Sequence, residues 1–413
     1  LDRVRATGEP RGEFAVLNAL GRIAALRGDR AAAVELYERA LEIAEREGGA
    51  DDVGVVLTNL GIEERVRGNL DVAEAHLGRA LTAFDDAGYD APPGFLLNSL
   101  ALLRIRRGDP TAGEDYLERA VASLELAGED RAVAAALRNL AEMRERRGRW
   151  PEAADQLERS LTLRRAVDDR RGEMSTLALL ARLRWRQGRF ADAETHANAL
   201  RQLAERMNDR SREAQACILL GDVAFSRDEL SEAEAHYQLA YSYYQQTDKE
   251  ASSRGVEMRL VAVAERRDPG VARRVKLRET AAWAAEEDNH ALAMDANGLL
   301  ADALIAAGAA DAAAQALKDA AEASRRVPNP AETGRFTALL GHLELDRSDQ
   351  AAAEGLFGLA NELHADHYQT RLLAARLADR AGRRSEADRL RALAEQAAGD
   401  HWAGRLRAGR PRM

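Results

Sequence analysis

Hydrophobic residues recur along this chain with a period of 40 residues, and each period contains two helical patterns. In residues 14–27 the apolar positions return every three or four residues, which predicts one amphipathic helix. The same spacing in residues 31–47 predicts a second helix with one apolar face. Gly28 and Asp29 separate the two, and glycine ends a helix readily because it accepts a positive φ. The pattern therefore predicts a helix–turn–helix unit.

One leucine marks this unit nine times without a gap. A small or short residue follows each leucine, and a turn residue stands eight positions after it. Neither helix of a unit has enough apolar surface to be stable alone, so each hairpin must stack on the next. This predicts an all-α solenoid rather than a set of compact domains. The leucines are Leu20, Leu60, Leu100, Leu140, Leu180, Leu220, Leu260, Leu300 and Leu340.

The spacing of the leucine, glycine and alanine positions resembles the tetratricopeptide repeat (TPR) family. Residues 57–61 (Leu-Thr-Asn-Leu-Gly), 68–73 (Gly-Asn-Leu-Asp-Val-Ala) and 148–153 (Gly-Arg-Trp-Pro-Glu-Ala) are close to the family pattern. The usual repeat has 34 residues, and the 40-residue variant here resembles arrays in kinesin light chain, in Gram-positive pheromone receptors and in actinobacterial transcription regulators of the SARP and STAND types. The resemblance implies a right-handed superhelical solenoid of about ten TPR-like hairpins.

The regularity of the repeat changes along the chain. We predict six regular repeats over residues 1–240 and divergent TPR-like repeats over residues 241–398. The motif is lost in residues 241–280, where a drifted repeat is favoured over a hinge or partner-contact site. Residues 399–413 are predicted to form a basic, disordered C-terminal tail, because positions from 401 onward hold four arginines and no acid.

Composition narrows the classes of function. The 413 residues include one cysteine, so no intrachain disulfide is possible. No run of about 18 uncharged apolar residues predicts a membrane span, and the N-terminus lacks the pattern of a signal peptide. We therefore expect a cytoplasmic protein without membrane contact. Lysine supplies only three of the 60 basic residues, which is typical of a GC-rich bacterial genome, and the first residue, Leu1, leads us to expect part of a longer protein.

The sequence contains no catalytic signature. It has neither a phosphate-binding P-loop motif nor a nucleophile elbow. Cys217 has no acid–base partner nearby in sequence and is expected to be a small buried hydrophobe. His364 and His367 could share a metal, but no third ligand lies near them in sequence. We predict a protein that is not an enzyme and that has no metal and no cofactor.

The TPR resemblance implies that the first helices of successive units line a concave binding groove. Apolar residues at the inward positions are not needed for the hairpin core, which favours a ligand role. Asparagine amides there can pair with an extended peptide, and arginines can bind carboxylates. The alternative, equally open, is that the arginines only solvate the groove. The candidate groove residues are Asn18, Asn59, Ile62, Phe95, Asn98, Leu102, Ile105, Arg106, Arg138, Asn139, Arg146, Arg182, Trp185 and Arg186.

Charge is unevenly distributed along the chain. Residues 131–190 hold 15 arginines and 8 acidic residues, a net charge of +7, whereas the whole chain carries −9. This stretch would attract an acidic peptide or an acidic segment of a protein partner. Direct contact with nucleic acid is not expected, because aromatic residues are sparse, no recognition motif is present and the net charge is negative.

These observations predict a non-catalytic module that binds a protein or peptide. The resemblance to SARP and STAND regulators implies a sensor or regulatory region, whose partners include the other domains of a parent regulator. A stand-alone pheromone receptor of the Rap type is an alternative, although it would need an N-terminal helical effector domain. An assembly scaffold is a further alternative. A metal-dependent enzyme using His364 and His367 is disfavoured.

Overall fold

The computed structural model describes residues 10–327 and 329–401. Within these residues it contains twenty α-helices and no strand, arranged in sequence as ten helical pairs. The predicted all-α solenoid of helical hairpins is therefore confirmed. The helices are α1 (Pro10–Arg27), α2 (Arg30–Glu47), α3 (Ala50–Arg67), α4 (Leu70–Asp86), α5 (Gly94–Arg106), α6 (Pro110–Leu126), α7 (Asp130–Arg146), α8 (Trp150–Ala166), α9 (Arg170–Arg186), α10 (Phe190–Arg206), α11 (Arg210–Ser226), α12 (Leu230–Tyr244), α13 (Glu250–Arg267), α14 (Val271–Glu286), α15 (His290–Ala306), α16 (Ala310–Arg326), α17 (Pro330–Asp346), α18 (Gln350–His364), α19 (Tyr368–Arg380) and α20 (Arg384–Ala398).

Short turns join the two helices of a pair, as the sequence pattern predicts. Gly28 has φ +84°, and its N–H donates to the Ala25 carbonyl at 3.1 Å. Asp29 then begins α2, because its Oδ1 accepts the N–H of Ala32 at 3.1 Å. Asp228, at the same repeat position as Gly28, also adopts a left-handed conformation, with φ +65°. Aspartate tolerates this conformation because its short side chain can hydrogen-bond locally.

Alanine and leucine form the cores of the hairpins. Glycine follows the repeat leucine where the paired helix comes closest. A Cβ on Gly61 would lie 2.6 Å from Cγ of Leu77, and one on Gly21 would lie 2.6 Å from Cε1 of Tyr37. The small residues predicted after the repeat leucines therefore permit close helix packing. Of the nine repeat leucines, Leu20 is exposed (37%), because α1 is the first described helix, Leu260 is half-buried and the other seven are buried.

The divergent segment keeps its helices but changes its turn. Residues 241–280 contain α13 and the first half of α14. Asp268 occupies the predicted turn position but has an extended backbone, with φ −146°. The turn continues to Gly270, whose N–H donates to Oε2 of the buried Glu265 at 2.7 Å. The Glu265 carboxylate therefore organises this turn in place of a residue with positive φ.

The helical hairpins group into two compact units, unit 1 (Leu1–Leu140) and unit 2 (Ala141–Met413). Unit 1 contains α1 to α6 and most of α7, and one cluster of buried leucines, alanines and aromatic residues runs through its hairpins. Unit 2 contains α8 to α20 and is built around several separate clusters of buried residues. None of the described helices is long and apolar enough to cross a membrane.

Within unit 2, the last hairpins return to contact the first ones. The N–H of Asp400 donates to the Gly188 carbonyl at 2.9 Å, and the N–H of Phe190 donates to Oδ2 of Asp400 at 3.2 Å. The Trp150 ring meets the His364 ring edge-on at a centroid distance of 4.8 Å. We call this closing contact the seam, which comprises Gly148, Trp150, Gly188, Phe190, His364, His367, Asp400 and His401. Residues 402–413 of the predicted tail lie outside the described residues.

Candidate ligand cavity in unit 2

The closure of unit 2 forms a partly open cavity of about 670 Å³. The first helices of five successive hairpins, α9, α11, α13, α15 and α17, supply most of its lining. Trp150, His367 and His401 of the seam complete the wall. Binding sites for small molecules and short peptides fall in this range of volume and combine aromatic surfaces with a few placed polar groups. The cavity is therefore the candidate functional site.

Three of the predicted groove residues, Arg182, Trp185 and Arg186, line this cavity. The repeat explains why the wall continues beyond them. Residues 40 positions later stand on the same face of the next first helix, so Asp222, Phe225 and Ser226 line the cavity as well. The inward positions inferred from the family resemblance therefore face the cavity in this part of the chain.

Aromatic side chains in the wall are held by neighbouring polar groups. Nε1 of Trp185 donates to Oγ of Ser226 at 2.8 Å, across one repeat. The Trp185 carbonyl lies 2.8 Å from Nε2 of His401 in the seam. The guanidinium of Arg266 stacks over the Phe225 ring at 3.9 Å from its centroid. These contacts fix two large apolar surfaces, on α9 and α11, toward the cavity.

A chain of ion pairs holds the arginines of α9. Arg182 binds the buried Glu145 through two hydrogen bonds, of 3.2 and 2.8 Å. Arg186 lies 3.5 Å from Glu145 and 3.5 Å from Glu332. Arg335 in turn donates to Glu332 at 2.7 Å. Each guanidinium of this chain is thus already matched by a carboxylate of the protein.

These pairs decide the ionisation of both glutamates. Burial alone would raise the pKa of Glu145, but Arg182 and Arg186 hold it below its ordinary value. Burial likewise opposes ionisation of Glu332, yet Arg335 and Arg186 lower its pKa to about 2. Both carboxylates therefore remain charged at neutral pH and offset part of the positive charge of Arg182, Arg186 and Arg335.

A second ionic chain crosses α11, α13 and α15. Oδ1 of Asp222 accepts the Tyr237 hydroxyl at 2.7 Å and Nε of Arg259 at 2.9 Å. Arg259 then reaches Asp295, where the nearest nitrogen–oxygen distance is 3.7 Å. The Asp295 side chain is 46% exposed within the cavity wall. Burial of the carboxyl group in the protein raises the pKa of Asp295 above its ordinary value.

In unit 1, the predicted asparagines pair with one another. Nδ2 of Asn59 donates to Oδ1 of Asn18 at 2.9 Å, and Nδ2 of Asn139 donates to Oδ1 of Asn98 at 2.9 Å. Arg138 also donates to Oδ1 of Asn139, at 2.6 Å. These amides use part of their hydrogen-bonding capacity between adjacent repeats, so a peptide bound there would have to compete with the pairs.

The other predicted groove residues do not line the cavity. In unit 1, Ile62, Phe95, Leu102 and Ile105 are half-buried and Arg106 is exposed. In unit 2, Arg146 pairs with Glu142 on its own helix at 3.4 Å.

Eight charged residues of the cavity wall are absent from the sequence-based candidates: Arg212, Asp222, Arg259, Arg266, Asp295, Asp302, Glu332 and Arg335. Asp295 stands at an inward repeat position, so extending the columns past the sixth unit would have found it. Glu332 gives no such signal, because its importance depends on Arg186, which lies 146 residues earlier in sequence and only 3.5 Å away.

Cys217, His364 and His367 have packing roles in this structure. Cys217 is free and buried, and burial raises the pKa of its thiol. His364 and His367 contact each other and the Trp150 ring in the seam. Within residues 10–327 and 329–401, no group of three or more His, Cys, Asp or Glu side chains is placed to hold a metal ion.

Comparison with known proteins agrees with the fold. The family model for the tetratricopeptide repeat matches residues 12–86 and 95–166. The apo form of the quorum sensor NprR from B. thuringiensis is similar in structure, with a TM-score of 0.58 and 13% identity over 86% of this chain and 98% of that one. A Rap protein complexed with Competence and Sporulation Factor gives a TM-score of 0.54 and 12% identity over 93% of this chain and 99% of that one. No curated protein matches the sequence significantly.

The matched residues, 12–86 and 95–166, lie in the part of the chain where the sequence pattern resembles the tetratricopeptide repeat. At 12–13% identity, the two solved structures show a shared helical-repeat fold and nothing beyond it.

Proposed function

We propose that this chain is a non-catalytic binding module whose cavity in unit 2 takes a peptide or a peptide segment of a protein. The observation that carries the proposal is the partly open cavity of about 670 Å³, built by the first helices of successive repeats. Its wall combines the aromatic surfaces of Trp185 and Phe225 with fixed charges and the amide of Gln215. Peptides present the same mixture of apolar, charged and amide groups.

We further propose that the module is the sensor or regulatory part of a bacterial signalling or transcription regulator, acting in the cytoplasm. A ligand inside the cavity contacts both sides of the seam and therefore stabilises the closed form of unit 2. Binding then changes a conformational equilibrium, as a sensor requires. The solved Rap structure, which contains a bound Competence and Sporulation Factor, supports a binding role for this fold. A scaffold, by contrast, uses exposed surfaces and has no need of a cavity.

The preference for an acidic partner is not part of this proposal. That expectation rested on the arginines of residues 131–190 being available to a ligand. Arg182 and Arg186 already pair with Glu145 and Glu332, so their charge is compensated inside the protein.

Affinity selection with defined peptides tests the proposal. The purified chain is mixed with a random hexapeptide library, separated by gel filtration and analysed by mass spectrometry for retained peptides. We expect a selected subset of sequences to remain bound, and Trp185→Ala to lose at least about tenfold of the retained peptide, equivalent to about 1.4 kcal/mol. Trp283→Ala is the matched control, because Trp283 lies outside the cavity wall.

Two results would contradict the proposal. One is the absence of any selected peptide from the wild-type chain. The other is equal loss of peptide in Trp185→Ala and Trp283→Ala, which would place binding outside the cavity. Circular dichroism of both variants checks that the helices are retained.

A further inference from the structure

The charges that line the cavity are mostly compensated by the protein itself. Arg182, Arg186 and Arg335 are matched by Glu145 and Glu332. Arg259 makes its short contact with Asp222, at 2.9 Å. Arg266 donates to the Phe225 carbonyl at 2.9 Å and lies 3.8 Å from Asp228. Each of these five arginines therefore already contacts a carboxylate of the protein.

Asp295 is the exception in this wall. Its nearest cationic partner, Arg259, is 3.7 Å away, beyond hydrogen-bond distance. Arg259 cannot easily come closer, because Nε is held by Asp222 and Nη1 by the Gly255 carbonyl, each at 2.9 Å. Among the residues that the structure describes, Asp295 has no hydrogen-bond donor. A carboxylate in the wall of a cavity with no donor has unused capacity to accept hydrogen bonds from a ligand.

Charges of both signs surround Asp295. The carboxylates of Asp222 and Glu332 act on Asp295 electrostatically, as do the guanidinium groups of Arg259 and Arg186. Arg182 also interacts electrostatically with Asp295, so these groups carry three negative and three positive charges. In a cavity partly shielded from water, direct contact between a ligand cation and the Asp295 carboxylate is stronger than it would be at an exposed surface.

The neighbouring side chains complete the site. Leu299 stands one turn after Asp295 on the same face of α15 and also lines the cavity. Met258 lines the cavity from α13, and Leu299 packs against the cluster of buried residues that contains Met258. Apolar surface beside a carboxylate suits a lysine or arginine side chain, whose methylene groups pack while its charged end is bound.

We propose that Asp295 binds a cationic group of the peptide ligand, with the apolar part of that residue packed against Leu299 and Met258. This inference rests on the proposed function of the cavity and specifies its ligand as a peptide with a basic residue. It replaces the expectation of an acidic ligand, which followed from arginine content without knowledge of the ion pairs.

The test compares two random hexapeptide libraries, N-acetylated and C-amidated, that carry either arginine or citrulline at one fixed position. Citrulline has nearly the shape of arginine but no charge. We expect the wild-type chain to retain arginine peptides about tenfold more than citrulline peptides. Asp295→Asn should reduce this ratio to about one, whereas Asp295→Glu should keep most of it.

Asp311→Asn is the matched control, because Asp311 lies outside the cavity and its loss changes the net charge equally. Should Asp295→Asn fail to fold, competition on the wild-type chain gives the same information. N-acetylarginine amide should then displace bound arginine peptides, and N-acetylcitrulline amide should not. A third library carries citrulline at the fixed position and has a free N-terminus. It shows whether the N-terminal ammonium group serves as the cation, and retention of its peptides would also support a cation site at Asp295.

The inference and the proposed function fail in different ways. Equal retention of arginine and citrulline peptides, still sensitive to Trp185→Ala, would overturn the cation site and leave the peptide cavity standing. If Asp295→Asn still prefers arginine peptides, another residue of the protein binds the cationic group and the inference is wrong. Preference for acidic peptides would overturn the inference, and retention of no peptide from any library would overturn both.

Discussion

At the scale of single residues, the buried carboxylate of Glu145 organises the arginines that line one side of the cavity. It accepts two hydrogen bonds from Arg182 and lies 3.5 Å from Arg186, while its own exposure is 1%. A buried carboxylate in this position is stabilising only while its partners are present, because the cost of removing it from water is repaid by their charges.

Glu145→Gln should therefore destabilise unit 2. The substitution leaves two guanidinium groups without their shared carboxylate, and breaking a buried pair costs about 3 kcal/mol. Thermal unfolding followed by circular dichroism measures the loss. Glu45→Gln is the control, because the Arg79–Glu45 pair is half-exposed on both sides and its loss should change the stability by less than about 1 kcal/mol. Equal melting temperatures for the two variants would contradict this role of Glu145.

The stability of the folded chain should also depend on pH, through the protonation of Glu332. Its pKa is about 2 in the folded chain and 4.5 in the unfolded one, so the unfolded chain takes up the proton first as the pH falls. The contribution of Glu332 is complete above about pH 4.5 and is lost progressively toward pH 2. We expect Glu332→Gln to be less stable at pH 6 and to lose less stability than wild type between pH 5 and about pH 2.5. Melting temperatures of both proteins across this pH range test the prediction. If the melting temperatures of Glu332→Gln and wild type fall in parallel with pH, the prediction is wrong.

At the scale of elements, the turn between α7 and α8 does more than end a helix. Gly148 has φ +77°, and a Cβ at this position would lie 2.5 Å from Cδ2 of His364 in the seam. Gly308 ends α15 with a similar φ of +71°, but no atom lies within 4 Å of its Cβ position. The two glycines thus share a backbone requirement and differ only in what packs against them.

Gly148→Ala should therefore cost more stability than Gly308→Ala. Both substitutions place alanine in the left-handed region, at about 1–2 kcal/mol, and Gly148→Ala adds overpacking of about 1–3 kcal/mol against His364. The measurement is thermal unfolding, together with tryptophan fluorescence, since Trp150 packs on His364. Identical costs for the two variants would argue that Gly148 does not contact the seam in solution.

At the scale of the whole molecule, unit 2 is closed by residues that are far apart in sequence. Asp400 contacts Gly188 and Phe190, more than 200 residues earlier. His401 meets the Phe190 ring at a centroid distance of 4.7 Å and lies beside the Trp185 carbonyl. Because these residues come from the two ends of the cavity wall, they hold those ends together.

A chain shortened to residues 1–398 should open this seam, whereas one shortened to residues 1–401 should keep it. Loss of Asp400 and His401 removes a backbone hydrogen bond, an acceptor for Phe190 and aromatic contacts. We expect the melting temperature to fall by about 2–4 °C for each kcal/mol lost and acrylamide quenching of the remaining tryptophans to increase. Both chains lack Trp402, so their fluorescence is directly comparable. Equal quenching would contradict closure by these residues.

The sequence by itself determined the local structure of this protein. A 40-residue period of leucines, small residues and turn residues predicted the helical hairpins, and the structure confirms them, because helix boundaries and close packing depend on residues near in sequence. It also placed Arg182, Trp185 and Arg186 on the inward face, since residues one period apart occupy equivalent positions. It did not predict that Asp268 would leave the left-handed conformation, because Glu265 organises that turn through its side chain.

Only the tertiary structure decided which charges are compensated and where the cavity closes. Arg186 and Glu332 are 146 residues apart in sequence, and no periodic pattern links them. The seam depends on small rotations that accumulate from hairpin to hairpin until the last helices of unit 2 meet the first. The repeat determines how each hairpin packs on the next. The rotation accumulated over many hairpins determines where unit 2 closes, which ion pairs form across the seam and that the Asp295 carboxylate has no hydrogen-bond donor among the described residues.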